Sequence, residues 1–210
     1  MQRFVLNPPM LALPKRAILR RLGYPADVEP TGHLGDIWMH MLKEAKSLLQ
    51  FKAVLAVLEV EKNEGETVCF KASSWQIEST QVARLLSECQ HAGVLVCTVG
   101  PELERQSLRY TEESQVTEGV LLDAIGSETA DAVADWVHHQ AWKNFAYPPN
   151  ARAVTPRFSP GYGDWPLASQ GGLMATAGAA TLGVTLNESW LMHPRKSVSA
   201  VFGFKLGEAV

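Results

Sequence analysis

The chain has 210 residues, of which 46% are hydrophobic and 20% charged, and this globular composition excludes a disordered or fibrous protein. Nineteen Lys and Arg residues against 22 Asp and Glu residues give a net charge of −3, which argues against a nucleic-acid partner. The longest apolar stretches are far shorter than the ~20 residues that cross a bilayer, so no membrane association is expected. The three cysteines have no C-x-x-C spacing and predict free thiols in a cytoplasmic protein, and the length predicts a single domain over residues 1–210.

The predicted elements combine helices and strands without strict alternation. Hydrophobic spacing and turn residues predict, in the first half, helices over 15–22 and 36–50, a hairpin of strands over 53–60 and 67–71, a helix capped by Thr80, a strand over 93–99 and a helix that starts at Gly100-Pro101. The second half predicts helices over 116–125 and 129–144 separated by Gly126-Ser127, an ordered loop over 148–163, a helical stretch over 166–180 and strands over 184–186 and 197–204. This mixture predicts an α+β fold with a mostly antiparallel sheet and flanking helices.

Several common catalytic motifs are absent from the sequence, among them G-x-x-x-x-G-K-[ST], G-x-S-x-G and H-E-x-x-H. His138 and His139 are adjacent, which places them about 100° apart on a helix and prevents a simple shared metal site. We therefore predict neither a metal site nor a catalytic residue.

One predicted helix carries a polar stripe. Its members recur at i, i+4, i+7 and i+11, and they are Asp131, Asp135, His138 and Trp142. This spacing is consistent with two interpretations, a solvated flank of the helix or an acidic wall of a ligand site.

The residues best suited to ligand binding lie between positions 151 and 170. Arg157 stands three residues before the turn Pro160-Gly161-Tyr162, and Asp164 follows the turn. Glycines let a ligand approach the main chain, an arginine pairs with a carboxylate, and a tyrosine ring offers its face to a cation or a heterocycle. These residue types fit a zwitterionic ligand, although a proline-rich surface loop would have the same composition.

Two ordered segments resemble the activation domain of cobalamin-dependent methionine synthase. The run Arg157-x-x-Pro160-Gly161-Tyr162, with Pro166 after it, is similar to the S-adenosylmethionine loop of that family. Residues 183–199 resemble its second signature, which has Thr-Glu-Ser, Met-x-Pro and Ser-Val-Ser in the same order and spacing. Residues 121–141 resemble the helical stretch before the loop, so the resemblance spans roughly residues 116–204.

The resemblance implies a methionine synthase activation domain-like α+β fold. It also implies that the protein binds S-adenosylmethionine and presents the methyl group to a cobalamin carried by another domain, so that one-electron reduction coupled to methylation restores methylcobalamin. The cofactor-binding residues that it implies are Arg157, Pro160, Gly161, Tyr162, Phe202, Gly203, Asp135 and Glu188. For Glu188, an equal alternative is that the carboxylate holds its own loop by accepting backbone N–H bonds.

The sequence contains no D-x-H-x-x-G that could offer a histidine to cobalt. We therefore expect the cobalamin to reside on a separate corrinoid methyltransferase, with a methionine synthase that lacks its own activation domain as the first candidate. The chain would then be a stand-alone reactivation subunit, served by an electron donor of the flavodoxin type or another kind.

The sequence also departs from the family pattern, because Gly163-Asp164-Trp165 replaces Pro-Ala-Cys after the Gly-Tyr pair. Either change could fill or recharge the pocket, which leaves open a docking protein of the same fold that has lost S-adenosylmethionine. A third hypothesis is a small-molecule enzyme that uses Asp164 or Glu188 as a general acid or base.

Overall fold

An antiparallel sheet lies at the centre of the computed structural model, which describes residues 1–143 and 151–206. Within those residues the sheet has seven strands in the order β4-β3-β2-β5-β9-β6, with β1 paired to β2 beside this path. The strands are β1 (Gln2–Leu6), β2 (Lys52–Asn63), β3 (Thr67–Phe70), β4 (Gln76–Glu78), β5 (His91–Thr98), β6 (Ala151–Val154) and β9 (Ser197–Leu206). A separate two-stranded hairpin consists of β7 (Thr185–Leu186) and β8 (Met192–His193).

Helices cover both faces of the sheet. They are α1 (Lys15–Arg21), α2 (Gly32–Leu48), α3 (Thr80–Leu85), α4 (Glu102–Glu112), α5 (Val116–Lys143) and α6 (Gln170–Ala177). Leu55 of β2 packs with the layer that contains α1, α2, α4 and α5, while its neighbours Val54 and Ala56 pack with the layer that contains α3 and α6. Because both faces are buried there, β2 is a continuous apolar run over residues 53–58 and β5 over residues 92–97, without alternation. The predicted α+β fold with a mostly antiparallel sheet is confirmed.

The two helices predicted over 116–125 and 129–144 are one continuous helix, α5. Gly126 does not end the helix. A Cβ atom at this position would lie 2.6 Å from Leu103 Cδ2 and 3.2 Å from Lys196 Cγ, so the glycine lets α5 approach α4 and the segment before β9. Tertiary packing therefore outweighs the low helix propensity of glycine here.

Several predicted boundaries differ from the observed ones. Strand β1 was not predicted, and β6 occupies part of the predicted loop over 148–163, whose first residues lie outside the described residues. The helical stretch over 166–180 contains α6 between the short 3₁₀ turns Leu167–Ser169 and Ala179–Leu182. Helix α3 is capped by Ser79, whose Oγ accepts a hydrogen bond from Val82 N, rather than by Thr80. In residues 1–143 and 151–206, no helix has the combined length and hydrophobicity that a membrane crossing requires.

Candidate functional site

A cleft of about 500 Å³ opens at the start of β9, where the two helical layers approach the same end of the sheet. Its size is within the range of about 300–1,000 Å³ that is typical of small-molecule sites. The lining residues come from α5, the loop before α6, α6 itself, and the segment from Asn187 to β9. They are Asp131, Ser159, Pro160, Tyr162, Leu167, Gln170, Asn187, Trp190, Leu191, Met192, His193, Arg195, Ser197, Val198 and Ser199.

Hydroxyl groups fix the first residues of β9 beside the cleft. Ser199 Oγ donates to Gln170 Oε1 at 2.8 Å, and Ser159 Oγ donates to Ser199 O at 2.7 Å. Ser197 Oγ lies 2.9 Å from the hydroxyl of Thr98 on β5. The Ser-Val-Ser run thus ties the strand to α6, to the loop before it and to the neighbouring strand, so this wall is preorganised.

A buried lysine anchors the same wall to α5. The Lys196 side chain is only 7% exposed, and its Nζ donates to Asp123 Oδ1 at 2.6 Å and to Ser127 Oγ at 2.8 Å. Its carbonyl accepts a hydrogen bond from Val99 N at 3.1 Å. A lysine that is nearly buried is stable there because both its charge and its hydrogen bonds are satisfied.

The Pro160-Gly161-Tyr162 turn forms another wall of the cleft. Gly161 has a φ of +91°, a conformation that favours glycine, and its N–H donates to Trp165 O at 2.8 Å. Trp165 N donates in return to Tyr162 O at 3.0 Å, which closes the turn. Because the Gly161 N–H is already bonded, this turn offers the cleft the Pro160 and Tyr162 side chains rather than a free amide.

The three residues that depart from the family pattern, Gly163, Asp164 and Trp165, all lie outside the lining of the cleft. Asp164 faces the start of α3, where its carboxylate accepts hydrogen bonds from Ser79 Oγ, from the Thr80 hydroxyl and from Thr80 N, the last at 2.7 Å. These bonds lower the pKa of Asp164 to about 2, the Ser79 and Thr80 hydroxyls having the largest effect. A carboxylate held ionised in this way is poorly suited to act as a general acid or base near neutral pH.

The Trp165 side chain is 1% exposed and belongs to the core between the sheet and α6, where it stacks on Phe158 at a centroid distance of 6.3 Å. The tryptophan therefore fills the core rather than the cleft. Neither departure blocks the site.

The family model described as the vitamin B12 dependent methionine synthase activation domain matches residues 82–205, more than half of the chain. The chain belongs to this family. A solved structure described as the MetH reactivation domain bound to AdoHcy is similar to the chain, with a TM-score of 0.72 and 14% sequence identity, over 100% of this chain and 80% of that chain. At this identity, the similarity supports the activation-domain fold. A comparison with curated proteins found no match.

The residues that the family resemblance implies are not all brought together. Pro160 and Tyr162 line the cleft, and the Tyr162 side chain is 68% exposed. Arg157 forms an ion pair with Asp135 of α5, with Arg157 Nη2 and Asp135 Oδ1 2.6 Å apart, and its charge also acts on Asp131 in the lining of the cleft. Neither member of the pair is among the lining residues. Asp131, one turn before Asp135, is the acidic residue of α5 that lines the cleft.

Phe202 and Gly203 lie in the second half of β9, in the core of the activation domain. Phe202 is fully buried over Gly93, where a Cβ atom would be 2.3 Å from the Phe202 ring, and a Cβ atom at Gly203 would be 2.3 Å from Cys89 Sγ. The Gly203 N–H donates to Thr155 Oγ1 at 2.8 Å. Neither residue is among those that line the cleft, because both are closely packed in the core beside the sheet.

Glu188 is exposed and is not among the residues that line the cleft. The loop-holding role considered for it belongs instead to Asn187, whose Oδ1 accepts hydrogen bonds from Ser189 N at 3.0 Å and Leu191 N at 2.9 Å. A short amide or carboxylate side chain that bonds the backbone two residues later is a common turn device. The spacing Asn187-x-Ser189 could have indicated this role.

The residues of the polar stripe of α5 lie in different surroundings. Asp131 lies in the wall of the cleft, and burial raises its pKa although the positive charge of Arg157 acts in the opposite direction. His138 is half-buried, with Nε2 2.9 Å from Thr155 O and its ring against the edge of Phe202 at a centroid distance of 4.7 Å. Burial lowers the pKa of His138. The Trp142 side chain lies outside the described residues.

Sequence reasoning did not identify Gln170 or Trp190 as lining residues of the cleft, although both lie in or beside the segments that resemble the family.

In the part of the chain that the structure describes, no group of His, Cys, Asp and Glu side chains is arranged to hold a metal ion.

Proposed function

We propose that the protein binds S-adenosylmethionine in this cleft and supplies the methyl group that returns an oxidised cobalamin on a partner protein to its methylated form. The observation that carries the proposal is the convergence of two sequence segments. Residues of the 157–166 segment and of the 183–199 segment, which resemble the family at separate places in the chain, line one cleft. The solved structure of similar fold is described as bound to AdoHcy, the compound that S-adenosylmethionine becomes after losing its methyl group.

The chemistry of the cleft suits a ligand with a positively charged sulfonium and a flat base. Asp131 contributes a carboxylate that attracts the cation, and Tyr162 contributes an aromatic ring. Ser199 Oγ and Gln170 Oε1 are already bonded to each other, so these two atoms fix the shape of the cleft. The site thus offers attraction for the cation within a preformed shape.

Arg157 would bind the ligand by exchanging its ion-pair partner. Its guanidinium pairs with Asp135, whose side chain is 71% exposed, so water can hydrate the aspartate when the pair separates. The carboxylate of the methionine moiety would replace Asp135 on Arg157, because an arginine binds either carboxylate with the same geometry.

The cobalamin would be carried by a corrinoid methyltransferase, with a methionine synthase as the first candidate. Reduction by one electron from a flavodoxin-type or other donor prepares the cobalt to accept the methyl group. In that transfer the bond between sulfur and the methyl carbon breaks, the cobalt–carbon bond forms, and S-adenosylhomocysteine remains in the cleft. Residues of this chain would bind and orient the methyl donor and exclude water.

Isothermal titration of the protein with S-adenosylmethionine tests the binding step. We expect saturable binding that weakens at least tenfold in Tyr162→Ala and in Arg157→Ala, which is 1.4 kcal/mol or more. Met39→Ala, a change at an exposed residue of α2, is the control and should bind as the wild type does.

The transfer step is tested by mixing the protein with an oxidised corrinoid protein, a reductant and S-adenosylmethionine, and by following methylcobalamin in the visible spectrum. The proposal fails if the wild-type protein neither binds S-adenosylmethionine, alone or with the corrinoid protein, nor supports formation of methylcobalamin.

A docking protein that has lost S-adenosylmethionine is the second candidate. One observation favours it, since the Arg157 guanidinium is already occupied by Asp135. The substitutions at Asp164 and Trp165 no longer favour it, because both side chains point away from the cleft. Capture of a corrinoid protein by wild type and by Tyr162→Ala alike, without any binding of S-adenosylmethionine, would support this candidate over the first.

A further inference from the structure

Trp190 combines a costly backbone conformation with a prominent position in the cleft. Its φ is +62°, in the left-handed region that a bulky residue rarely adopts. The side chain lines the cleft and is 43% exposed, so burial of the indole in the core does not account for this conformation. Backbone strain of this kind tends to persist where it positions a functional group.

The turn around Trp190 holds the strained backbone in place. Asn187 Oδ1 accepts hydrogen bonds from Ser189 N and Leu191 N, and Trp190 N donates to Asn187 O at 3.0 Å. The flanking strands β7 and β8 pair with each other, with Leu186 opposite Met192. The indole therefore leaves a closed turn at a fixed position.

One edge of the indole rests on the start of α6. A Cβ atom at Gly171 would lie 3.0 Å from Trp190 Cζ3, so the missing side chain at Gly171 leaves room for the ring. The ring is thus supported on one side and exposed on another. An aromatic ring that is fixed and partly uncovered in a cleft is suited to stack on a nucleobase, an interaction that requires only two flat surfaces.

We propose that Trp190 stacks on the adenine base of the ligand and determines the preference of the cleft for an adenosine-containing compound. This inference rests on the proposed function and names the residue that recognises the base. Tyr162 is more exposed and lies on a separate loop, whereas Trp190 is held by the Asn187 turn and by the Gly171 surface. In this arrangement the Asp131 carboxylate attracts the sulfonium of the ligand.

The test compares S-adenosylmethionine, S-adenosylhomocysteine and methionine by isothermal titration in wild type, Trp190→Ala, Trp190→Phe and Trp190→Gly. Glycine adopts a positive φ without strain, so Trp190→Gly removes the ring and keeps the turn, even where alanine disturbs folding. Leu108→Ala, a change at an exposed residue of α4, is the control, and thermal melting verifies that each variant is folded.

We expect Trp190→Gly and Trp190→Ala to weaken both adenosine-containing ligands by the same factor of at least ten, with Trp190→Phe recovering most of the loss. Methionine should bind weakly to all variants and without difference among them. Changes below threefold for both adenosine ligands would overturn the assignment of Trp190 while leaving the proposed function intact. A loss confined to S-adenosylmethionine would also overturn it, because the ring would then face the sulfonium. If the wild type binds neither adenosine ligand, the proposed function fails and this assignment fails with it.

Discussion

The two halves of β9 differ in what surrounds them, although the first half contains the Ser-Val-Ser signature and the second half follows it directly. Ser197–Ser199 lie along the cleft, and their hydroxyls bond to Thr98 and Gln170. Phe202–Phe204 lie in the core, and β6 pairs with the strand from Phe204 to Leu206. A residue's place in or beside a motif therefore does not by itself place it in the lining of the cleft. The neighbouring elements determine whether a residue of β9 lines the cleft, since the cleft opens beside the half of β9 that does not pair with β6.

The largest effect expected from this contrast is at Phe202. Phe202→Ala should lower the free energy of unfolding by about 3–5 kcal/mol, because it leaves a cavity over Gly93. The affinity of the folded protein for S-adenosylmethionine should stay within threefold of wild type. Denaturant unfolding and isothermal titration measure the two quantities. A variant of normal stability with tenfold weaker binding would place Phe202 in the site and break the contrast.

The next effect concerns Lys196, which precedes the cleft half of β9. Lys196→Met keeps the aliphatic stem but removes the hydrogen bonds to Asp123 and Ser127. We expect a loss of about 2 kcal/mol in the free energy of unfolding, the range for hydrogen bonds to a charged group. Binding of S-adenosylmethionine should weaken as well, because this wall loses its anchor to α5. Lys205→Met, which breaks an exposed ion pair with Glu88, is the matched control and should leave binding unchanged.

A smaller effect is expected at the turn that forms another wall of the cleft. The folded-state pKa of Asp164 is about 2, below the ordinary value of about 4, so its hydrogen bonds to the start of α3 stabilise the folded state above pH 4. That contribution is lost as the pH falls from about 4 to about 2. Thermal melting between pH 2 and 7 should show a weaker acid dependence in Asp164→Asn than in wild type. Asp36→Asn, at an exposed position in α2, should retain the wild-type profile.

The smallest effect is expected at Asp131 and concerns the choice between two ligands. Asp131→Asn should weaken S-adenosylmethionine about fivefold, or roughly 1 kcal/mol, and leave S-adenosylhomocysteine unchanged, because only the former carries a positive sulfonium. Burial raises the pKa of Asp131, so the wild-type preference for the charged ligand should decline as the pH falls through that raised value. Isothermal titrations of both ligands at several pH values measure this preference. An equal loss of affinity for both ligands would mean that the Asp131 carboxylate contacts a part of the ligand other than the sulfonium.

Local patterns predicted much of the sheet and the helices. The buried strands over 53–60 and 93–99 were recognisable because short apolar runs with β-branched residues favour buried strands. The continuity of α5 was not predictable, because Gly126 breaks a helix by its local propensity and its close contact with Leu103 exists only in the folded chain. Strand β1 was not predictable, because its five residues are mostly exposed and stand just before Pro8 and Pro9, which favour turns.

The candidate site was predictable only where a motif could be recognised. The Pro160-Gly161-Tyr162 turn is one such motif, and two of its residues line the cleft. The proposed role of Trp190 depends on a positive φ and on contact with Gly171 of α6, and neither is visible in the sequence. The ion pair of Arg157 with Asp135 likewise required the fold, because 22 positions separate the two residues.

The rotation of α5 about its axis determines which of its polar residues face the cleft and its surroundings. Four polar residues of α5 follow one another at intervals of four, and they are Asp123, Ser127, Asp131 and Asp135. The first two bond to the Lys196 ammonium, the third lines the cleft, and the fourth pairs with Arg157. Each residue of an α-helix turns by about 100°, so inserting a single residue after Ser127 would leave the Lys196 anchor in place and swing both aspartates out of position. An insertion of about seven residues would restore the rotation, but at about 1.5 Å per residue it would move both aspartates roughly 10 Å along the axis. The site therefore requires both the rotation and the length of α5 between Ser127 and Asp135.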